Sequence, residues 1–261
     1  MNIVICLKQV PGTTEVKVDP QTNTLIRQGV ENIINPFDTY ALEEGVRLKE
    51  WYRGEVTAIS MGPPQAEAAM REAISLGADG AVLLSDSAFA GADTWVTAYT
   101  LARAIDRLGQ YDIVICGRQT VDGDTGQVGP ELAEMLDVPF IAYVSQIEEI
   151  ADGYMRVQRM VEEGHEVVEA PLPAVITVIK EINVPRLPSL RGIARSKSSS
   201  IPVWTARELG VNKDTVGLSG SFTRVTRVFF PQRTCQGEIF QGELESQVDC
   251  LLGKLKDARI I

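Results

Sequence analysis

Short apolar runs alternate with longer amphipathic stretches through roughly the first 140 residues. "IVICLKQV" from Ile3, "EVTAISM" from Glu55, "AVLLSD" from Ala81 and "DIVICG" from Asp112 are apolar on both alternating faces. That pattern predicts strands of a parallel sheet covered by helices. Between the runs, apolar residues recur at helical spacing. One such stretch starts at Asp38, a candidate N-cap, with Tyr40, Ala41, Val46 and Leu48 partly sharing a face. "PQAEAAMREAISLG", with Pro near its start and Gly at its end, predicts the next helix. "TWVTAYTLARAIDRL" and the region around "GPELAEMLD" predict two more, and "PAVITVIKE" a later strand. "EVKVD" and "TLIRQ" flank the turn residues "PQTN" and predict a hairpin.

The alternation predicts an α/β fold, a Rossmann-like doubly wound and mostly parallel sheet. Ligands of such sheets sit outside the carboxyl ends of the strands, where strand order reverses. The pattern breaks after residue 182: "INVPRLPSLRGIARSKSSSIP" has no apolar period, and "TARELG", "FTRVTRVFF" and "LESQVDCLLGKLKDA" are isolated pieces. The expected division is an α/β domain over residues 1–182 and an extended C-terminal arm over 183–261, which packs on another polypeptide.

Charge and rare residues narrow the chemistry. A net charge of −10 over 261 residues is the wrong sign for nucleic-acid binding. No apolar run reaches the ~20 residues of a membrane span, and the first residues carry no charged leader, so a cytoplasmic protein is expected. Cys6, Cys116, Cys235 and Cys250 have no C-x-x-C spacing, and His165 is the single histidine. A disulfide framework, a metal site and a Ser-His triad all lack raw material. No catalytic side chain is assigned.

The segment "GRQTVDGDTGQVGP", residues 117–130, joins a buried strand to a helix. Its candidate ligand-binding residues are Gly117, Arg118, Gln119, Thr120, Val121, Asp122, Gly123, Asp124, Thr125, Gly126, Gln127 and Val128. Thr125 to Val128 fall at a helix start, where free N–H groups and the dipole attract phosphate. Cys6 and Met61 close two other strands, and the turn Asn35, Pro36, Phe37, Asp38 is placed to face an adenine or ribose edge. Asp122 and Asp124 repel phosphate, so they are expected to meet ribose hydroxyls or to cap the loop, with Arg118 balancing their charge. Neither G-x-G-x-x-G nor G-x-x-x-x-G-K-[ST] is present. On these residues alone the turn is either structural or an adenine-nucleotide cradle.

With these stretches in view the chain resembles the β subunits of electron-transferring flavoproteins, essentially from end to end. The resemblance runs through "IVICLKQVP", "NPFDTYALEEGVRLKE", "ISMGP", "GRQTVDGDTGQVGP", "PLPAVITVIKEINVPRLPSLRGI" and "PQRT". It implies an adenine nucleotide held at Cys6, Asn35 to Asp38, Met61 and Gly117 to Val128. It also implies an α subunit that carries a second, redox-active FAD and is embraced by the arm. In the pattern P-R-x-x-x-L, Leu190 matches the anchor of a loop that docks a flavin-containing dehydrogenase of acyl-CoA or hydroxy-acid type, beside Arg186, Arg191 and Arg195. The run from Asp122 to Pro130 is similar to the subgroup that binds FAD in place of AMP and bifurcates electrons. There NADH gives a hydride, one electron goes to a low-potential acceptor such as ferredoxin, and the other leaves through the α-subunit FAD. Gly123 in place of a carboxylate removes a charge and makes room for a pyrophosphate; AMP is the alternative occupant. The competing reading is a non-redox adenine-nucleotide-binding module of the stress-protein type, which leaves the arm and the basic loop unused.

Overall fold

The computed structural model describes residues 1–12, 17–18, 25–26, 32–226 and 237–261. Met1–Thr226 form one compact unit and Arg227–Ile261 a second. The first unit opens with β1 (Asn2–Cys6), β2 (Gln9–Pro11), β3 (Lys17–Val18), β4 (Leu25–Ile26) and β5 (Asn32–Ile34). Then come α1 (Pro36–Tyr52), β6 (Glu55–Met61), α2 (Glu67–Leu76), β7 (Gly80–Leu84), α3 (Thr94–Leu108), β8 (Ile113–Gly117) and α4 (Val128–Leu136). It continues with β9 (Phe140–Ala151), β10 (Tyr154–Val161), β11 (Gly164–Pro171), β12 (Ala174–Val178), α5 (Leu190–Ser198), β13 (Val203–Trp204) and the short α6 (Gly217–Gly220). The second unit holds α7 (Leu244–Asp257).

Nine strands form one sheet in the order β11-β10-β9-β12-β8-β1-β6-β7-β13. The run from β9 to β13 is parallel, and β9, β10 and β11 extend it as an antiparallel meander. The chain steps outward from β1 to β6 to β7, then crosses back to β8 on the other side of β1. Strand order therefore reverses between β1 and β8, where Cys6 is the register partner of Cys116.

Side-chain alternation puts the two faces of β1 into two separate cores. Ile3 and Ile5 pack with Leu42 and Val46 of α1 and Met70 and Ile74 of α2. Val4 and Cys6 pack with Val96 and Ile105 of α3 and Leu132 of α4. Ile5 is completely buried, so Ile5→Ala should cost ~2–5 kcal/mol through lost transfer energy and a cavity. The doubly wound α/β class expected from the apolar runs is the observed one.

Three features depart from the expectations. The helix α1 starts one turn earlier than proposed: Asn35 is its N-cap, Pro36 its first residue, and Asp38 is buried inside the first turn. The strands β9, β10 and β11 fill a region with no predicted element, and His165 lies exposed on β11. Residues 183–226 pack into the first unit. The strand β13 extends the sheet edge beside β7, α5 packs on α2, and Ala206, Leu209 and Val216 enter the second core. A boundary at 182 thus falls inside a compact unit.

The paired backbones of Lys17–Val18 and Leu25–Ile26 agree with the predicted hairpin; its turn residues "PQTN" lie outside the described residues. So do "PQRT", Cys235 and the end of "FTRVTRVFF". No helix among the described residues is long and apolar enough to cross a membrane.

Candidate nucleotide site at the switch point

A cavity of about 780 Å³ opens at the carboxyl ends of β1, β6 and β8. That is within the ~300–1,000 Å³ usual for small-molecule sites. Cys6, Asp38 and Met61 line it, with Gly117, Arg118, Gln119, Thr120, Gly123, Thr125, Gly126, Gln127 and Val128 of the loop after β8. Asn35, Pro36, Phe37, Val121, Asp122 and Asp124 stand behind this wall rather than in it.

The loop owes its shape to the turn before α1. Asn35 is fully buried and spends both ends of its amide on the protein. Its Nδ2 donates to Asp38 Oδ1 at 2.9 Å and to the Gln119 carbonyl at 2.9 Å, while its Oδ1 accepts from Val121 N–H at 3.1 Å. Asp38 accepts the Lys8 backbone N–H at 2.7 Å. Burial drives the Asp38 pKa up to about 7, against the lowering effect of hydrogen bonds from Asn35, Lys8 and Gly117. Gly117 passes so close that an added Cβ would overlap Asp38 Oδ1 and come within 2.7 Å of the Phe37 carbonyl carbon. Only glycine fits there.

The two loop carboxylates are turned out of the cavity. Lys8 Nζ sits 2.7 Å from Asp122 Oδ1. Burial works to raise the Asp122 pKa, but the hydrogen bond and charge of Lys8 more than offset it and hold the carboxyl below its usual range. Asp124, with φ 54°, closes the turn through its N–H on the Thr120 carbonyl at 2.8 Å, and its carboxylate takes the Gln119 side-chain amide. Arg118, expected to balance these charges, instead stacks over Phe37 at 5.5 Å and Tyr143 at 5.7 Å.

On the α4 side, the groups facing the cavity suit an anion. Gln127, Val128 and Gly129 present the N-terminus of α4, whose first N–H groups have no carbonyl to bond within the helix. Gly129 lets that terminus press onto β12, since an added Cβ would meet Thr177 Cγ2 at 2.5 Å. Gly123 is open by contrast, with only Thr120 Oγ1 in reach of an added Cβ at 3.4 Å.

Sequence reading missed the opposite wall, formed by Phe89, Asp93, Thr94, Thr97, Thr223 and Arg224. Asp93 caps α3 by accepting from Val96 N–H at 3.0 Å with one oxygen. Its other oxygen accepts from Phe222 and Thr223 N–H at 2.9 and 3.0 Å. Burial opposes the charge of Asp93, yet these bonds keep its pKa below the ordinary value. They hold Arg224 at the cavity rim. The pair Asp93-Thr94 before an apolar run was a legible cap signal; its bond to a segment 129 or 130 residues away was not.

The basic loop is also more committed than its composition suggested. Arg186 is forked between Glu43 and Glu50, at 2.8 and 2.6 Å. Arg195 donates to the carbonyls of Ile74 and Ala78 at 2.9 and 2.6 Å. Leu190 is 88% exposed, and Arg191 beside it is exposed too.

Comparison with known proteins bears on this arrangement. A family model for the electron transfer flavoprotein domain matches residues 22–209. The electron transfer flavoprotein subunit beta of Thermoanaerobacterium thermosaccharolyticum is 50% identical, with all of both chains aligned. That of Clostridium acetobutylicum is 48% identical over the whole of both chains. The caffeyl-CoA reductase-Etf complex subunit CarD of Acetobacterium woodii is 44% identical, again with full coverage of both.

Proposed function

The chain belongs to the electron transfer flavoprotein family, as a β subunit, and from that premise we propose that the switch-point cavity holds the adenylate and pyrophosphate of FAD. The observation that carries this reading is the sorting of charge around the loop. Asp122 and Asp124 are engaged away from the cavity, while the α4 N-terminus and Arg224 line it. A phosphate-bearing ligand gains N–H donors and a cation there, and meets no loop carboxylate.

When bound, the flavin supplies the redox chemistry. The chain's own residues hold and orient it. Gly123 and Gly126 leave room for close backbone approach, Asn35 and Asp38 fix the loop from behind, and the apolar floor of Cys6, Met61 and Leu101 excludes water. Asp38 is a buried lining group whose pKa is raised to about 7, and its oxygens are occupied by backbone and amide donors. Its role is positioning.

The subunit works in a heterodimer with the α subunit, which carries a second FAD. A flavin held in the cavity would let a hydride from NADH be divided, one electron going to ferredoxin or a similar low-potential acceptor and the other to a dehydrogenase. The CarD relative, a subunit of a caffeyl-CoA reductase complex, supports an acyl-CoA type of dehydrogenase over a hydroxy-acid type. The second unit, with Leu244, Val248, Leu251 and Leu252 exposed on α7, supplies an apolar surface for the α subunit. Membership in a flavoprotein family sets aside the non-redox nucleotide module. The test is the cofactor content of the purified heterodimer. Two FAD and no AMP support this reading; one FAD with AMP assigns the cavity to AMP, and one FAD alone overturns it.

A further inference from the structure

The cavity floor carries two thiols. Cys6 ends β1, Cys116 stands on β8, and the two are register partners on adjacent parallel strands, which run ~4.7–4.9 Å apart. Both side chains belong to the same core cluster, so they project to the same face of the sheet. Both are free thiols, not joined in a disulfide. Both line the cavity, at 8% and 6% exposure. Buried single thiols are ordinarily packing residues; a facing pair at the bottom of an open cavity offers a bidentate soft ligand.

We propose that Cys6 and Cys116 together form a dithiol site for monosubstituted trivalent arsenicals, and that its occupation blocks the nucleotide cavity. Three considerations select this ligand class. Reagents that need a free thiolate are disfavoured, because the adjacent Cys6, then burial, then the nearby Asp38 push the Cys116 thiol well up. A soft divalent metal wants about four ligands, and no group of three or more His, Cys, Asp or Glu stands together among the described residues. An arsenoxide, R–As=O, asks for two sulfurs only. Both S–H bonds and the As=O bond break, two As–S bonds form, and the two protons leave with the oxygen as water. No electron is transferred, and the product is neutral, so burial does not oppose it.

The test titrates phenylarsine oxide into the purified full-length chain and reads intact mass after a wash with excess monothiol, which strips arsenic held by one sulfur. The wild-type chain and Cys250→Ser should each keep a single adduct that a dithiol then removes. Cys6→Ser and Cys116→Ser should each lose it. Proteolysis of the wild-type adduct should yield one arsenic-bridged peptide pair containing Cys6 and Cys116, a readout that depends on no variant. An adduct that survives in either serine variant, a bridge to Cys235 or Cys250, or no monothiol-resistant adduct overturns the site. The blocking clause rests on the nucleotide reading above. In the heterodimer, one nucleotide should leave in step with adduct formation. A full adduct with all nucleotide retained refutes blocking while leaving the dithiol site intact. An untreated heterodimer with no β-site nucleotide would instead defeat the functional reading.

Discussion

Lys8 Nζ lies 2.7 Å from Asp122 Oδ1, joining the end of β1 to the loop after β8 across the point where strand order reverses. The pair resolves a conflict in the sequence, which puts carboxylates into a loop suited to phosphate. The lysine rather than Arg118 draws Asp122 aside.

Lys8→Met should therefore weaken β-site nucleotide binding by freeing the Asp122 carboxylate, and Asp122→Asn on top of it should restore much of the loss. Lys8 is partly exposed, so a coupling of ~0.5–1 kcal/mol is expected. Titration of nucleotide into the four members of the cycle measures it. Additive effects would show that the pair does not act on the ligand.

Asp38 predicts a pH dependence of stability. Its folded pKa is raised to about 7 from the ordinary 3.8, so between those values the folded state binds the extra proton. Stability from this group is full below pH ~4, falls as pH rises to ~7, and is flat above, a change of order 4 kcal/mol at most. Asp38→Asn should lower stability at pH 5, because one amide hydrogen faces the Lys8 N–H, while removing the slope. Urea unfolding from pH 4.5 to 8 checks this; an unchanged slope in the variant would place the titration elsewhere.

Truncation separates the two parts of the chain beyond residue 182. A chain ending at Thr226 should keep its sheet and fail to bind the α subunit. One ending at Ile182 loses β13, α5 and the buried Ala206, Leu209 and Val216, and should unfold at markedly lower denaturant. Equal stability of the two truncated chains would contradict the packing described for 183–226.

Leu190→Ala should slow electron delivery to the dehydrogenase by ~1–3 kcal/mol of docking energy and leave NADH-driven flavin reduction unchanged. Arg186→Glu should instead lower the stability of the subunit itself, since Glu43 is buried and would face a like charge. Thermal unfolding and coupled turnover, measured on both variants, tell docking from folding. Docking unchanged in Leu190→Ala at low partner concentration would move the contact surface elsewhere.

The parallel half of the fold was legible because β1, β6, β7 and β8 are apolar on both faces, a pattern that only a covered sheet satisfies. The meander β9 to β11 was harder: β9 and β11 are mostly exposed or half-buried and carry several glutamates, so no apolar run marks them. Its turn at Asp152-Gly153, with φ 51° and 83°, did carry a hairpin signal in the sequence. Asp38 misled because an acidic residue near a helix start reads locally as a cap, whereas contacts from Lys8 and Gly117 made it a buried acceptor. Half of the cavity wall was readable from strand ends; the half held by Asp93 depends on contacts with distant residues 222 and 223.

Whether the loop after β8 cradles the flavin's adenylate can be read at Gly123. It lines the cavity and has open space beside it, so a larger side chain can enter without breaking the fold. Nucleotide is extracted from wild-type and Gly123→Glu heterodimers of matched thermal stability and quantified. The variant should retain the α-subunit FAD and lose the β-site nucleotide. Unchanged nucleotide content in a folded Gly123→Glu heterodimer would contradict it.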